Sequence, residues 1–560
     1  MELKIETDWE NINLDYEGEN KFASFFSSQG NIHTYPAKAV PEMVNELIKK
    51  IMSISNIKSV LDPFVGSGTT ALETKYLGLD FYGSDLNPLA VLLARTKTLT
   101  IKNTYYTKMH LSEFINQIVC NYEDTKIIPL VEFEHMNYWF KQKNIRELSY
   151  IKCEISKFLK KSKTNRECYA LILLTAFSST IRKVSLTRNG EFKLYRMSPN
   201  DINRFDIDSM QVFSDAMRNL LDMLEVANDT YLRETKSNIF LQNAKNLNYL
   251  EDGKVELVIT SPPYGDSKST VAYGQFSRLS IQWMSDMMWK YLKIPMELDN
   301  CDELLLGGRK SDWLLEDETG FLSSKELIEL LQSLDNTIKS KQNELREVKE
   351  LIEQILLKVE KKEPIDENQI KKSNMLYELI RERVRLDIYR KINNKISTMD
   401  SKKIKRIARE QATRCLEEFV DSRNKNYYRR QKLMISKFSS VSETVDRNMI
   451  SVRNRKEEVI AFLQDLYKVV LESDRVLKNG GFQVWIVGHR TVLSEIVINL
   501  EGIIKEWFAN MGYSYVTSLE RKYSFKRMPH HINSTIERNE QVNTMMNEYI
   551  LVVKKNSKEG

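Results

Sequence analysis

Between residues 53 and 97 short apolar runs alternate with segments of helical spacing: "IKSVLDPF", a glycine turn, "TTALETKYLG", "LDFYGSDL" and "NPLAVLLARTK". Apolar runs bounded by turn residues predict buried strands, and apolar positions three and four apart predict helices. The resulting βαβα order is the opening of a parallel sheet covered by helices. Further strands are expected at "NIFLQNA" (238–244), "KVELVITS" (254–261) and "GGFQVWIVGH" (480–489), with a closing pair near 513–525 and 547–555.

Two long stretches interrupt this sheet. The first reads as helix, for example in "IRELSYIKCEISKFLKK" and "DAMRNLLDMLEVAN". The second is more charged. In it Leu327, Leu331, Leu334, Ile338, Leu345, Val348, Ile352, Ile355 and Val359 step by 4, 3, 4, 7, 3, 4, 3 and 4, a heptad seam broken only at Lys341. Pro364 ends that helix, and "DENQIKKSNMLYELIRERVRLDIYRKI" offers a second helix that folds back on it as an antiparallel arm. Two helices lying along the main domain, or a dimerising coiled coil, fit the same pattern. The expected organisation is a sheet domain built from 20–100, 236–285 and 461–557. A helical insertion spans 101–235, and a second, with the coiled-coil arm and a basic segment, spans 286–460.

At 560 residues the chain exceeds the size at which a single core keeps growing, which agrees with large insertions. The net charge of +6 is concentrated: sixteen Lys/Arg fall between Lys402 and Lys456 against eight Asp/Glu between Glu410 and Glu458. A basic segment of this kind suits a phosphate backbone. Five cysteines, an odd number with no CxxC pair, argue for a reducing compartment and against a zinc site. His530 and His531 sit in a polar loop and read as solvent-exposed, so no metal is assigned. The N-terminus "MELKIETDWENINLDYEGEN" is not a signal peptide, and no apolar run reaches membrane-spanning length, so a cytoplasmic protein without membrane association is expected.

Candidate chemistry begins at "VLDPFVGSGTTALE" (60–73), where Gly66 and Gly68 stand between a strand and a helix. Glycine there permits a tight turn and lets a ligand approach a backbone with no Cβ in the way. The loop lacks the lysine of a triphosphate cradle and the third glycine of a dinucleotide fingerprint. Asp85 ends the next strand, where an acid commonly holds two ribose hydroxyls; a helix cap before Pro88 is its other reading. An adenosine-type ligand without either phosphate signature is indicated, and S-adenosylmethionine fits best.

The second motif is "TSPPYGD" (260–266), directly after the apolar run "VELVIT". Methyl transfer to an amino nitrogen requires its lone pair to be freed from conjugation with the ring. Acceptors aimed at the amino hydrogens achieve this: the Ser261 hydroxyl and the Pro262 carbonyl can both accept, and the proline pair keeps the loop stiff. Tyr264 offers a face on which a planar base can stack. A base in duplex DNA would have to be swung out of the helix to reach it.

With "HTYPAKAVPEMVNELI" (33–48), "LDPFVGSGTT" and "TSPPYGD", the chain resembles the amino-directed, S-adenosylmethionine-dependent DNA methyltransferases of restriction-modification systems. The resemblance extends to "FSSTIRKVSLTRNGEFKLYR" (177–196), "RVLKNGGFQVWIVGHR" (475–490) and "KRMPHHINSTIERNEQVNTMMNEYILVVKK" (526–555). It implies a Rossmann-like α/β fold of the class I methyltransferase type, mostly parallel with an antiparallel C-terminal hairpin. It also implies a prokaryotic cytoplasm, double-stranded DNA as partner and a cognate restriction endonuclease. By the same resemblance Asp62, Phe64, Gly66, Gly68 and Thr69 line the cofactor, Asp85 holds its ribose, and the segment from His33 through Tyr35 and Pro36 to Ala37 closes over its methionine end. Asn243 stands where the family often has an Asp that reads adenine. Ser261, Pro262, Pro263 and Tyr264 form the catalytic loop, and serine in its first position is commoner among enzymes acting on cytosine N4 than on adenine N6.

The catalytic loop follows the cofactor motifs, so target reading falls to one or both insertions. Arg182, Lys183, Arg188, Lys193 and Arg196, interleaved with Phe192 and Tyr195, are candidate DNA contacts, as are Arg429 and Arg430 in "NKNYYRRQK"; solvated basic loops fit these segments equally well. The reading is thus a site-specific DNA methyltransferase for cytosine N4, with adenine N6 as the alternative. An RNA or protein-glutamine methyltransferase shares the xPPY loop, and a DNA-binding arm on an inactive scaffold is contradicted by the intact motifs. The sequence leaves the target site and the oligomeric state open.

Overall fold

The computed structural model describes residues 9, 12, 14, 33–36, 39–188, 193–230, 235–265, 273–295, 301–308, 320–365, 370, 373–395, 401–420, 427–522, 531–533, 541–543 and 547–557. Seven strands form its main sheet: β1 (Ser59–Asp62), β2 (Asp80–Asp85), β3 (Ser237–Leu241), β4 (Val255–Thr260), β5 (Leu477–Gly488), β6 (Tyr513–Lys522) and β7 (Asn547–Lys555). Their order is β3-β2-β1-β4-β5-β7-β6. The first five strands are parallel, and β7 runs antiparallel between β5 and β6. This is the Rossmann-like, mostly parallel sheet with a C-terminal antiparallel pair that the motifs imply. Strand order reverses between β1 and β4, and the crevice beyond the carboxyl ends of strands at such a reversal is where open α/β sheets bind ligands.

Because side chains alternate across a strand, each strand feeds two cores. Val60, Phe81, Leu257, Ile259, Val484 and Ile550 face one side, together with α1 (Pro41–Ile54), α2 (Thr69–Tyr76), α3 (Pro88–Lys97) and the helices of the first insertion. Those helices are α4 (Thr104–Asn121), α5 (Gln142–Lys161), α6 (Arg166–Val184) and α7 (Ser209–Thr230). Helix α6 is buried on every side from Tyr169 to Arg182, because α3, α5, α7 and α8 (Tyr273–Leu292) surround it. The first insertion therefore shares one hydrophobic core with the sheet rather than forming a separate one.

Leu61, Val258, Trp485, Val487 and Leu551 face the opposite side and pack with the second insertion. Here α9 (Lys325–Lys361) is a helix of 37 residues, roughly 55 Å at the α-helical rise. Its expected partner was the segment just after Pro364. That segment instead becomes α10 (Asn374–Lys395), which pairs chiefly with α11 (Ser401–Val420). The helix that folds back along α9 is α12 (Tyr427–Val476), and the salt bridges Lys349–Asp446 (2.6 Å) and Lys456–Asp335 (2.6 Å) fix the antiparallel sense. The difference has a sequence cause: α10 has apolar residues distributed around its surface, so it suits a sandwiched position rather than a two-helix seam. The heptad pattern itself holds, with Leu327, Leu334, Leu345, Val348, Ile352 and Ile355 buried; Leu330 is buried too, while Leu331, Ile338 and Val359 are only partly covered.

The arm is rooted in the sheet domain. Ser324, which caps α9, donates to Glu506 Oε2 (2.6 Å) on α13 (Leu500–Asn510), and Asn499 donates to Glu326 (2.7 Å). The rings of Phe321, Tyr467 and Trp507 meet beneath it. Among the described residues no helix is long and apolar enough to cross a membrane.

Candidate active site at the strand reversal

The tips of β1 and β4 are joined directly. Asp62, the last residue of β1 and buried, accepts a hydrogen bond from the Thr260 hydroxyl (2.7 Å), the last residue of β4, and from the Phe64 amide (3.0 Å). Burial pushes the Asp62 carboxyl above its ordinary range, opposed by these hydrogen bonds. The two motifs are thereby held side by side at the crevice.

After β1 the chain turns through Gly66 (φ +51°) and Gly68 (φ +87°), both in the left-handed region. A Cβ on Gly68 would lie 2.7 Å from the Ala94 Cα, so glycine is what allows the start of α2 to lie against α3. Gly66 is different: its nearest neighbours to such a Cβ are the Phe64 carbonyl and the Tyr35 ring at 3.9 Å, leaving its backbone approachable. Asp85 at the tip of β2 accepts from the Gly66 amide (2.9 Å) and the Asn87 amide (2.8 Å). Burial, with the nearby Asp62 adding, raises the Asp85 carboxyl to about 6 despite those bonds. The side-chain cap of α3 is Asn87, which accepts from the Leu89 amide (3.0 Å), so the simple cap reading of Asp85 does not hold.

Residues 33–36 lie over this loop. Both ring nitrogens of His33 are engaged, with Ser178 Oγ on α6 (2.8 Å) and the Thr34 carbonyl (2.6 Å), so what His33 supplies is anchorage of the segment. Tyr35 is buried between the rings of Tyr273 and Phe276 at the start of α8; Pro36 is buried and Ala37 lies outside the described residues. Phe64 and Thr69 are partly exposed beside the glycines. Asn243 follows β3, where its side chain accepts from the Lys245 amide (3.0 Å), and the neighbouring Gln242 amide donates to the Asp85 carbonyl (3.1 Å).

The prolines Pro262 and Pro263 carry the chain out of β4. Ser261 Oγ lies 3.2 Å from the Tyr264 hydroxyl, which donates to Glu548 Oε1 (2.9 Å). Glu548 in turn pairs with Arg521 (2.7 Å) across β7 and β6, and both are buried. Arg521 also donates to the Leu14 carbonyl (2.9 Å). Gly265 lies under Arg490, whose Cδ would be 2.9 Å from a Cβ there. Sequence reasoning missed Glu548, Arg521 and Tyr273. The available signal was a carboxylate and a guanidinium placed within otherwise apolar or sheet-forming runs, and register alone brings that pair together.

The basic candidates separate. Arg182 is buried on α6 with its guanidinium 3.9 Å from the centre of the Phe276 ring, and burial pulls it down to about 10. It is a packing residue behind Tyr35 and Phe276, not an open phosphate contact, because its place on the all-buried α6 turns it inward. Lys183 and Arg188 are exposed, Lys193 is half-buried, and Arg196 lies over the Tyr138 ring at 4.2 Å. The backbone bridge between Thr187 and Arg196 shapes this segment as a small hairpin. The Leu194 amide in it donates a long bond to Gln275 Oε1 (3.4 Å), which places the hairpin beside the start of α8. Phe192, Asp266 and His530 lie outside the described residues, as do the side chains of Arg429, Arg430 and His531.

The donor set suits S-adenosylmethionine. Glycine leaves the Gly66 backbone open to a ligand, and two carboxylates at neighbouring strand tips match hydroxyl donors and a net positive charge. When bound, that cofactor supplies an electrophilic methyl group on a sulfonium.

Residues 4–96 match the model of the N6/N4 methyltransferase family, described as a DNA methylase. The chain is 28% identical over 539 residues, 93% of its length and 90% of the relative's, to the Type II methyltransferase M.MvaI of Kocuria varians. It is 35% identical over 66 residues, 12% of each chain, to the Type II methyltransferase M.MjaII of Methanocaldococcus jannaschii. A solved rRNA methyltransferase, aviRa from Streptomyces viridochromogenes, aligns at 12% identity over 47% of this chain and 78% of that one, with a TM-score of 0.20. With the glycine turn and the SPPY loop meeting at one strand reversal, these similarities support a DNA methyltransferase of the restriction-modification type, similar to the N6/N4 class.

Proposed function

We propose that the protein methylates the exocyclic N4 of a cytosine within a specific DNA sequence, as the modification partner of a restriction endonuclease. The observation that carries this reading is the join between the motifs: the Asp62–Thr260 bond sets the cofactor loop one residue from Ser261, so a sulfonium methyl and an amino acceptor frame share one crevice. Asp62, Phe64, Gly66, Gly68, Thr69, Asp85 and Asn243 would hold the cofactor, with His33, Tyr35 and Pro36 closing over it. Ser261 and the Pro262 carbonyl would accept the amino hydrogens, Pro263 would stiffen the loop, and the ring of Tyr264 would stack on the flipped base.

The preference for cytosine rests on serine at the first loop position, where enzymes of this resemblance acting on adenine more often carry Asp or Asn. Target contacts are assigned to the hairpin around Lys183, Arg188, Lys193 and Arg196 and to the arm. The test is incubation of purified protein with labelled cofactor and unmethylated duplex DNA, followed by nucleoside analysis. N4-methylcytosine is the expected product, and N6-methyladenine would reverse the choice of base.

A further inference from the structure

The hydrogen bonds around the SPPY loop have a direction. As a carboxylate, Glu548 can only accept, so the Tyr264 hydroxyl donates its hydrogen to Glu548 Oε1 at 2.9 Å. The Tyr264 oxygen is then an acceptor, and the contact with Ser261 Oγ at 3.2 Å is made by the serine hydrogen. A serine whose hydrogen is turned away leaves its lone pairs for an incoming amino group. A serine facing the other way would meet that amino group with a donor, hydrogen against hydrogen.

Glu548 is well built for this. It lies on β7, with Gly488 of β5 and Arg521 of β6 as its register partners, so the sheet fixes its backbone on both sides. Arg521 takes its second oxygen at 2.7 Å, and only 8% of Glu548 and 9% of Arg521 is exposed. A carboxylate held this firmly cannot swing away when a base arrives, and it holds the far end of the Tyr264 ring as well.

We propose that Glu548 is a positioning residue for methyl transfer, acting through Tyr264 to set Ser261 as an acceptor and to hold the Tyr264 ring in place. The inference deepens the proposed function and rests on it, since it needs an amino group delivered to Ser261. The role is open to cytosine N4 and adenine N6 alike.

The experiment compares wild type, Tyr264→Phe, Glu548→Gln and the double variant in steady-state transfer of labelled methyl from S-adenosylmethionine to duplex DNA. Thermal midpoints and cofactor binding are measured on each. Tyr264→Phe keeps the ring and the Glu548–Arg521 pair and removes only the hydroxyl, so it remains informative if Glu548→Gln folds poorly. The expected result is a kcat about 10- to 100-fold lower in Tyr264→Phe, and as low in Glu548→Gln, with both KM values within about twofold of wild type. The double variant is expected to be no slower than the slower single one. Wild-type kcat in Tyr264→Phe would overturn the inference, as would losses that multiply in the double variant or a Glu548→Gln defect confined to stability and KM. Failure of the wild-type protein to methylate DNA at all is a separate result, and it would overturn the proposed function together with the inference.

Discussion

Asp85 and Gly68 show two different demands that the cofactor loop places on single residues. Asp85 is a carboxylate raised to about 6 by burial, beside Asp62. Below that value it is protonated and gives up part of its acceptor capacity, and its charge no longer attracts a cationic cofactor. Affinity for S-adenosylmethionine is therefore expected to fall as pH drops through about 6, and Asp85→Asn should bind weakly with that dependence flattened; calorimetric titration from pH 5 to 8 checks both. The sign for folding is opposite: with its folded pKa above the unfolded value of 3.8, Asp85 takes up protons on folding, so its contribution to stability declines as pH rises from about 4 to 6. Gly68 is limited by space, since a Cβ would press on Ala94 at a backbone angle that L residues rarely adopt. Gly68→Ala is expected to cost about 1–3 kcal/mol in urea unfolding, from overpacking and strain together. These glycines and acids were legible because each residue type does one physical job at a strand end. Glu548 and Arg521 were not, because pairing across β6 and β7 depends on a register that local pattern does not contain.

At the level of elements, strands and long helices were legible where one face is buried and the other is not. The heptad seam of α9 foretold a long helix with a mostly buried stripe, but not its partner. Partner choice depended on α10 and α11 pairing with each other and leaving α12 to close the arm, a non-local outcome. Since α12 covers the seam within the chain, Ile352→Asp should destabilise the protein by several kcal/mol through a buried unpaired charge. Chemical denaturation reads that loss, and light scattering should show no change in oligomeric state if the seam serves only this fold. Helix α6 taught the opposite lesson: its basic end looked like a DNA contact, yet its continuous apolar character marks it as central. Arg182→Ala is accordingly expected to lower stability, whereas Lys183→Ala and Arg188→Ala should leave stability near wild type. Each of the latter is expected to weaken DNA binding and reduce its salt slope by about 1, measured by titration across salt concentrations.

For the whole molecule, the two insertions do different architectural work on the two faces of one sheet. The first completes the core against β1 to β5 and brings a basic hairpin beside the start of α8. The second projects an arm from α13 and packs its base into the opposite face. Between them, the Asp62–Thr260 bond joins the tips of β1 and β4, where the proposed cofactor and catalytic motifs lie. The deciding measurement is expression of the protein in a host lacking DNA methylation, with single-molecule sequencing to map modified bases. N4-methylcytosine is expected at one recurrent sequence, and none in a strain expressing Ser261→Ala with Tyr264→Ala. Unmodified DNA with methylated RNA in the wild-type strain, or undiminished DNA methylation by the double variant, would contradict it.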